Sequence, residues 1–186
     1  MNRLKALLWV LAVLLLMIGC GEQEALPKPS AELRLEYPKA KLGRLETDQF
    51  EFQFNEMARL KDKNSHSLTL DYPGMKGTIF MNYRKVDGNL EKLLRDAQKF
   101  SYEHAVKADG IDEKVFINEE AKVYGNFYSV TGDAASQAQF YATDSINHFV
   151  TGSLYFYAKP NYDSIYPAAV YLQNDILTIM ETLQWK

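Results

Sequence analysis

From residue 50 onward, apolar and polar positions alternate in short runs. Phe50, Phe52 and Phe54 take turns with Glu51 and Gln53, the period-two pattern of a strand with one buried face. Residues 67–72 and 78–84 continue the alternation on either side of Pro73-Gly74, a turn signal. The period then changes. Leu90, Leu93, Leu94, Ala97, Phe100 and Ala108 fall on one helical stripe together with His104, which predicts a helix from Asn89, its N-cap, to about residue 107, with Gly110 as the stop. Strands return at 115–118, 122–131, 136–143 and 148–158. The connections at 118–120, 132–133 and 144–147 are short enough to make antiparallel hairpins the natural pairing.

The last of these strands is apolar on both sides. His148, Val150, Gly152, Leu154 and Phe156 point one way, and Phe149, Tyr155 and Tyr157 the other, so the strand needs cover on both faces. A final helix supplies part of it. Ile165, Ala169, Leu172, Ile176, Ile179 and Leu183 repeat at helical spacing, with Asp163 or Ser164 as the cap and Pro167 in the first turn. Two amphipathic helices and one two-faced sheet give an α+β class: an antiparallel sheet sandwiched between two helices, α/β/α layers similar in layout to the photosystem extrinsic protein PsbP.

The chain's first residues have a different character. Arg3 and Lys5 precede an unbroken apolar run, 6–18, which ends at Gly19-Cys20 before the polar Gly21-Glu22-Gln23-Glu24. This is the n-region, h-region and cleavage site of a signal peptide, and the run is shorter than the ~20 residues that span a bilayer. Met17-Ile18-Gly19-Cys20 resembles a bacterial lipobox, which makes Cys20, the single cysteine, the lipidation residue and the first residue of the mature chain. The alternative is an ordinary secretory leader that ends near a cysteine. Anchoring by two or more acyl chains is stable where one is marginal, which is the physical reason for such a modification. The expected division is then 1–19 signal peptide, 20–32 lipidated tether containing Pro27 and Pro29, and 33–186 a single α+β domain.

Removing the leader takes two basic residues from a chain of 21 basic and 24 acidic, leaving a net charge of about −5. An acidic domain without a basic face is not expected to bind nucleic acid. The partner expected from the anchor is the membrane.

The candidate chemistry centres on Asp144-Ser145-x-x-His148. A nucleophilic triad needs serine, base and acid in one hydrogen-bonded chain with an oxyanion hole. No Gly-x-Ser-x-Gly elbow is present, and an aspartate at the first position of a four-residue turn bonds the backbone beyond it. Asp-Ser recurs at Asp163-Ser164 at a helix start, which argues for backbone capping in both places. His104 with Asp109 is a second candidate. A histidine on an apolar stripe is more often a core residue than a ligand, yet His104 and His148 would meet if the first helix covered that face of the last strand. With His66 far away, the three histidines form no zinc spacing, so neither a metal nor a cofactor is expected. Tyr124, Phe127, Tyr128, Phe140, Tyr141, Phe149, Tyr155, Phe156 and Tyr157 form either a tyrosine-rich core whose hydroxyls reach the rim or an exposed contact surface.

The lipobox is followed in order by Pro27-Lys28-Pro29, Tyr72-Pro73, Tyr102-x-His104 with Ala108-Asp109, and Tyr124-Gly125. A longer signature runs from Gln139-Phe140-Tyr141-x-Thr143-Asp144-Ser145-x-x-His148-Phe149 through Gly152-x-Leu154-Tyr155-Phe156 to Pro160-Asn161-x-Asp163-Ser164, with Asp175-Ile176 beyond it. This order of features resembles the gliding-motility lipoprotein GldD family, and the stretch from Gln139 to Ser164 is its most specific part. Ala31-Glu32-Leu33 departs from the family's Gly-Tyr element. The resemblance implies a lipid-anchored cell-envelope protein, on one or the other membrane's periplasmic face, that supports gliding beside machinery shared with type IX secretion, with other gliding or secretion envelope proteins as partners and without a catalytic residue. The alternative is a periplasmic ligand-binding or enzymatic domain using His104, Asp144 and His148.

Overall fold

Each strand marked by alternation between residues 50 and 157 is present in the computed structural model, which describes residues 36–64, 66–103, 107–157 and 161–186. In chain order the elements are β1 (Leu42–Glu46), β2 (Phe50–Asn55), β3 (Arg59–Lys61), β4 (Ser67–Tyr72), β5 (Gly77–Lys85), α1 (Leu90–Glu103), β6 (Ala108–Asn118), β7 (Val123–Gly132), β8 (Ala138–Thr143), β9 (His148–Phe156), α2 (Tyr162–Thr182) and β10 (Gln184–Trp185). A 3-10 turn, Pro73–Met75, closes the β4–β5 hairpin, with Lys76 in the left-handed region at φ 53°.

The class is mixed α+β, as expected, but the strands form two antiparallel sheets where one was expected. Seven strands are ordered β3-β4-β5-β9-β8-β7-β6, and three more β1-β2-β10. Phe50 and Phe52 do not extend the large sheet. They face the core from the small one, where β2 pairs with β1 on one side and with Gln184 and Trp185 on the other. Neither partner strand was legible: β1 buries only Leu45, and β10 has two residues.

The two faces of the large sheet are covered differently. Val150 and Leu154 of β9 join Leu70, Ile79, Met81 and Phe140 in a core shared with Leu172, Ile176 and Ile179 of α2 and with Phe52. Gly152 is required here, because a Cβ would lie 2.1 Å from Phe140 Cε1. Phe149, one residue before Val150, points to the opposite face and packs with Val86 and Leu93 against α1. Burying Leu93 and Ser101 alone, α1 is held lightly.

Three local expectations change. β6 begins at Ala108, so Gly110 lies inside a strand; its charged residues Asp109, Asp112, Glu113 and Lys114 mask the pattern because this first part of an edge strand is mostly exposed and needs no alternation. The second helix starts at Tyr162, which moves Pro167 from the first turn into the second. Its first N–H is capped by neither Asp163 nor Ser164: Asp133 Oδ1, from the β7–β8 turn, accepts Tyr162 N–H at 2.8 Å, and Ser164 Oγ donates to Asn161 O. The leader (1–19), Cys20, the tether (20–32) and His104 lie outside the described residues. Among the described residues no helix is long and apolar enough to cross a membrane.

The N-terminal segment is fixed where it meets the domain. Tyr171 Oη donates to Pro38 O at 2.8 Å and accepts from Asn55 Nδ2 at 2.9 Å, while the other Asn55 N–H reaches Asp175 Oδ2 at 3.0 Å. Burial pushes the Asp175 carboxyl above the usual carboxylate range, against the lowering pull of Asn55 and Tyr72. The chain therefore enters at the Asn55 end of β2.

Candidate functional site

At the other end of β2, three segments meet: the 119–122 turn between β6 and β7, the 144–147 turn between β8 and β9, and the 184–186 tail. The second turn is built by Asp144. Its Oδ1 accepts backbone N–H groups of Ile146, Asn147 and His148 at 3.0, 2.8 and 2.8 Å. Thr143 Oγ1 donates to His148 O at 2.6 Å and accepts Ser145 N–H at 2.9 Å. Ser145, at φ 67°, takes the left-handed position that a tight turn demands. Partial burial pulls the Asp144 carboxyl upward, but the three N–H donors and nearby His148 leave it below its ordinary value.

His148 has two partners. Its Nδ1 lies 3.0 Å from Tyr83 Oη, and its ring stacks on Trp185 with centroids 5.2 Å apart and planes 7° from parallel. Burial, and to a lesser degree the Asp144 charge, raises the Tyr83 phenol, so Tyr83 stays protonated and able to donate. Trp185 Nε1 donates to Lys122 O at 3.0 Å, tying the tail to the first turn. Together these segments surround an open hollow of about 600 Å³ whose charged lining is mixed in sign: Glu120, Lys122, Asp144, Glu181 and Lys186.

This arrangement does not form a relay. The Asp144 carboxylate binds the backbone of residue 148 and not its ring, and among the described residues no hydrogen bond joins Ser145 Oγ to either neighbour. His148 faces the Tyr83 and Trp185 side, opposite to the face that α1 covers through Phe149, so β9 does not offer it to the first helix. Among the described residues no group of three His, Cys, Asp or Glu is placed to hold a metal.

Asp109 and Asp163 are brought together, with Asp133, around a shallow hollow at the far end of β7. Both are exposed, and this hollow shares no lining residue with that of Asp144 and His148. Of the aromatic cluster, Phe127, Tyr128, Phe140 and Phe149 are buried in the core, Tyr124, Tyr141, Tyr155 and Phe156 are half-buried, and Tyr157 is exposed. The sequence reading missed Tyr83 and Trp185. The signal for Tyr83 was its place in a strand that pairs with β9, Tyr83 opposite Val150 and Lys85 opposite His148. Trp185 carried none, since its strand is two residues long.

The family model described as gliding motility lipoprotein GldD matches residues 22–185. No curated protein matches the chain.

Proposed function

The chain belongs to the gliding motility lipoprotein GldD family, and from that premise we propose that it is an envelope protein, lipid-anchored through Cys20, that supports gliding and the associated type IX secretion machinery through protein contacts. The contact surface is the end of the domain where His148 stacks on Trp185. The observation that carries this reading is the use of Asp144: a carboxylate with three backbone donors is a device for holding a turn rigid, not for moving a proton. What that turn presents is Ile146, 70% exposed at its tip. Tyr171 holds Pro38 near the opposite end of β2, about 17 Å away at ~3.4 Å per residue. No reaction is assigned to any residue.

Two measurements test it. Cys20→Ala leaves a folded domain released from the membrane fraction; retention there would sink the anchor. A photo-crosslinking residue at Ile146 captures a discrete envelope protein in intact cells, while one at exposed Tyr102 does not. Equal capture at both positions, or none at Ile146, removes the contact surface.

A further inference from the structure

Beneath α1 the large sheet is incompletely covered. Asn82 of β5, Thr151 and Ser153 of β9, and Gln139 and Tyr141 of β8 lie on one face in register. Between them and the helix lies a cleft of about 490 Å³, closed on the α1 side by Leu93, Ala97 and Phe100. That volume lies within the ~300–1,000 Å³ usual for small-molecule sites. Its two charged lining residues, Arg84 and Asp96, cancel.

Gln139 lines this cleft at 2% exposure, and neither its Oε1 nor its Nε2 has a hydrogen-bond partner among the described residues. Buried side-chain amides are rarely left so. Two residues earlier Gln137 is left with only its Oε1 unpaired, because its Nε2 donates to Gly132 O and Ala134 O, both at 3.1 Å; Gln139 has neither atom paired. The unused amide offers one acceptor and two donors.

We propose that this cleft binds a neutral N-acetylated sugar, with Gln139 bonding the acetamido group. A ligand that answers a primary amide must bring both an acceptor and a donor, and an acetamido group brings C=O and N–H. The balanced charges favour a neutral body. Aromatic walls, Tyr141, Phe149 and Tyr155 among them, suit the C–H faces of a pyranose, and the Thr151 and Ser153 hydroxyls suit its own. The proposal uses none of the residues of the His148 surface and stands or falls apart from it.

The test is calorimetric titration of the full chain in detergent with N,N′-diacetylchitobiose, against cellobiose, the same disaccharide frame without acetamido groups. The first binds saturably and the second at least tenfold more weakly. Gln139→Leu, which removes the unpaired amide, keeps or raises the melting temperature and weakens diacetylchitobiose at least tenfold. Ala97→Phe fills the cleft from the helix side and has the same effect on binding. Absence of saturable binding, equal affinity for cellobiose, undiminished binding by Gln139→Leu, or preference for N-acetylalanine amide over the disaccharide would each overturn the proposal.

Discussion

The two faces of the seven-stranded sheet are made by the same strands and carry opposite loads. Toward α2 they present Leu70, Ile79, Met81, Val150 and Leu154, all buried and continuous with the small sheet. Toward α1 they present serine, threonine, asparagine, glutamine and tyrosine, and the apolar cluster there is only Val86, Leu93 and Phe149 with partly buried neighbours. The hydrophobic effect scales with apolar area removed from water, so the fold is held from the α2 side. The α1 side is thereby free to keep polar groups that a stability-bearing face would exclude. The sharpest way to break this comparison is to remove equal side chains from the two helices. Leu172→Ala, on the fully buried side, costs about 2–5 kcal/mol. Leu94→Ala, half-buried on α1, costs under about 1.5 kcal/mol, since much of that side chain is already in water. Thermal unfolding reads the difference at roughly 2–4 °C per kcal/mol for a domain of this size; equal losses would erase the distinction between the faces.

The apolar side also holds a buried polar pair, and it gives the next largest effect. Asn55 donates to the buried Asp175 carboxyl, so Asn55→Ala leaves that oxygen without its donor and costs about 1–3 kcal/mol, the range for an unsatisfied buried acceptor. The pH dependence has a definite sign. Burial raises the folded-state pKa of Asp175 above the unfolded value of ~3.9, so its contribution is most favourable at low pH and is lost as pH rises through the raised value. Removing Asn55, which pulls that pKa down, steepens the loss. Melting temperatures of the two proteins therefore lie closer at pH 4 than at pH 8; a constant gap would mean that Asp175 is not titrating against burial.

How much of this was legible follows from which face a residue serves. Alternation located β2, β4, β5, β7, β8 and β9 because each buries at least one side, and the spacing of Leu172, Ile176 and Ile179 located α2 because its stripe is fully covered. The edge strand β6 was read seven residues short, since its first part lies mostly in water and carries no period. β1 and β10 are set by pairing with β2 rather than by pattern, which is why two sheets were read as one. At the site, Asp144 was legible because turn chemistry is local in sequence. Tyr83 and Trp185 reach His148 from 65 and 37 positions away, which no local rule encodes.

That local rule predicts a smaller effect at the end of the sheet. Asp144→Ala removes the acceptor of three N–H bonds in a partly exposed turn and costs about 1 kcal/mol, as for a lost helix cap. The sign of its pH dependence is opposite to that of Asp175. The folded pKa is depressed, so the stabilisation is fully present above the unfolded value near 4 and disappears as pH falls through the folded one. Urea unfolding of the variant and the parent converges at the acidic limit; a gap that persists there would show that the carboxylate's charge is not what holds the turn.

The smallest effect lies where the α1 side runs out. Val115 and Ile117 stand on the same face of β6 as Glu113, opposite Asn126 and Tyr124 of β7, and each is 64% exposed. An uncovered side chain returns little to water on replacement, so Val115→Thr with Ile117→Thr changes stability by no more than about 0.5 kcal/mol in either direction. Solubility responds more, because a long edge strand with exposed β-branched residues is a ready template for pairing, restrained here by Asp112, Glu113 and Lys114. The double variant stays monomeric to higher concentration in sedimentation, with an unchanged melting temperature. A loss above about 1 kcal/mol would mean that this rim carries packing of its own and that the polar face is held as firmly at its margin as the apolar face is at its centre.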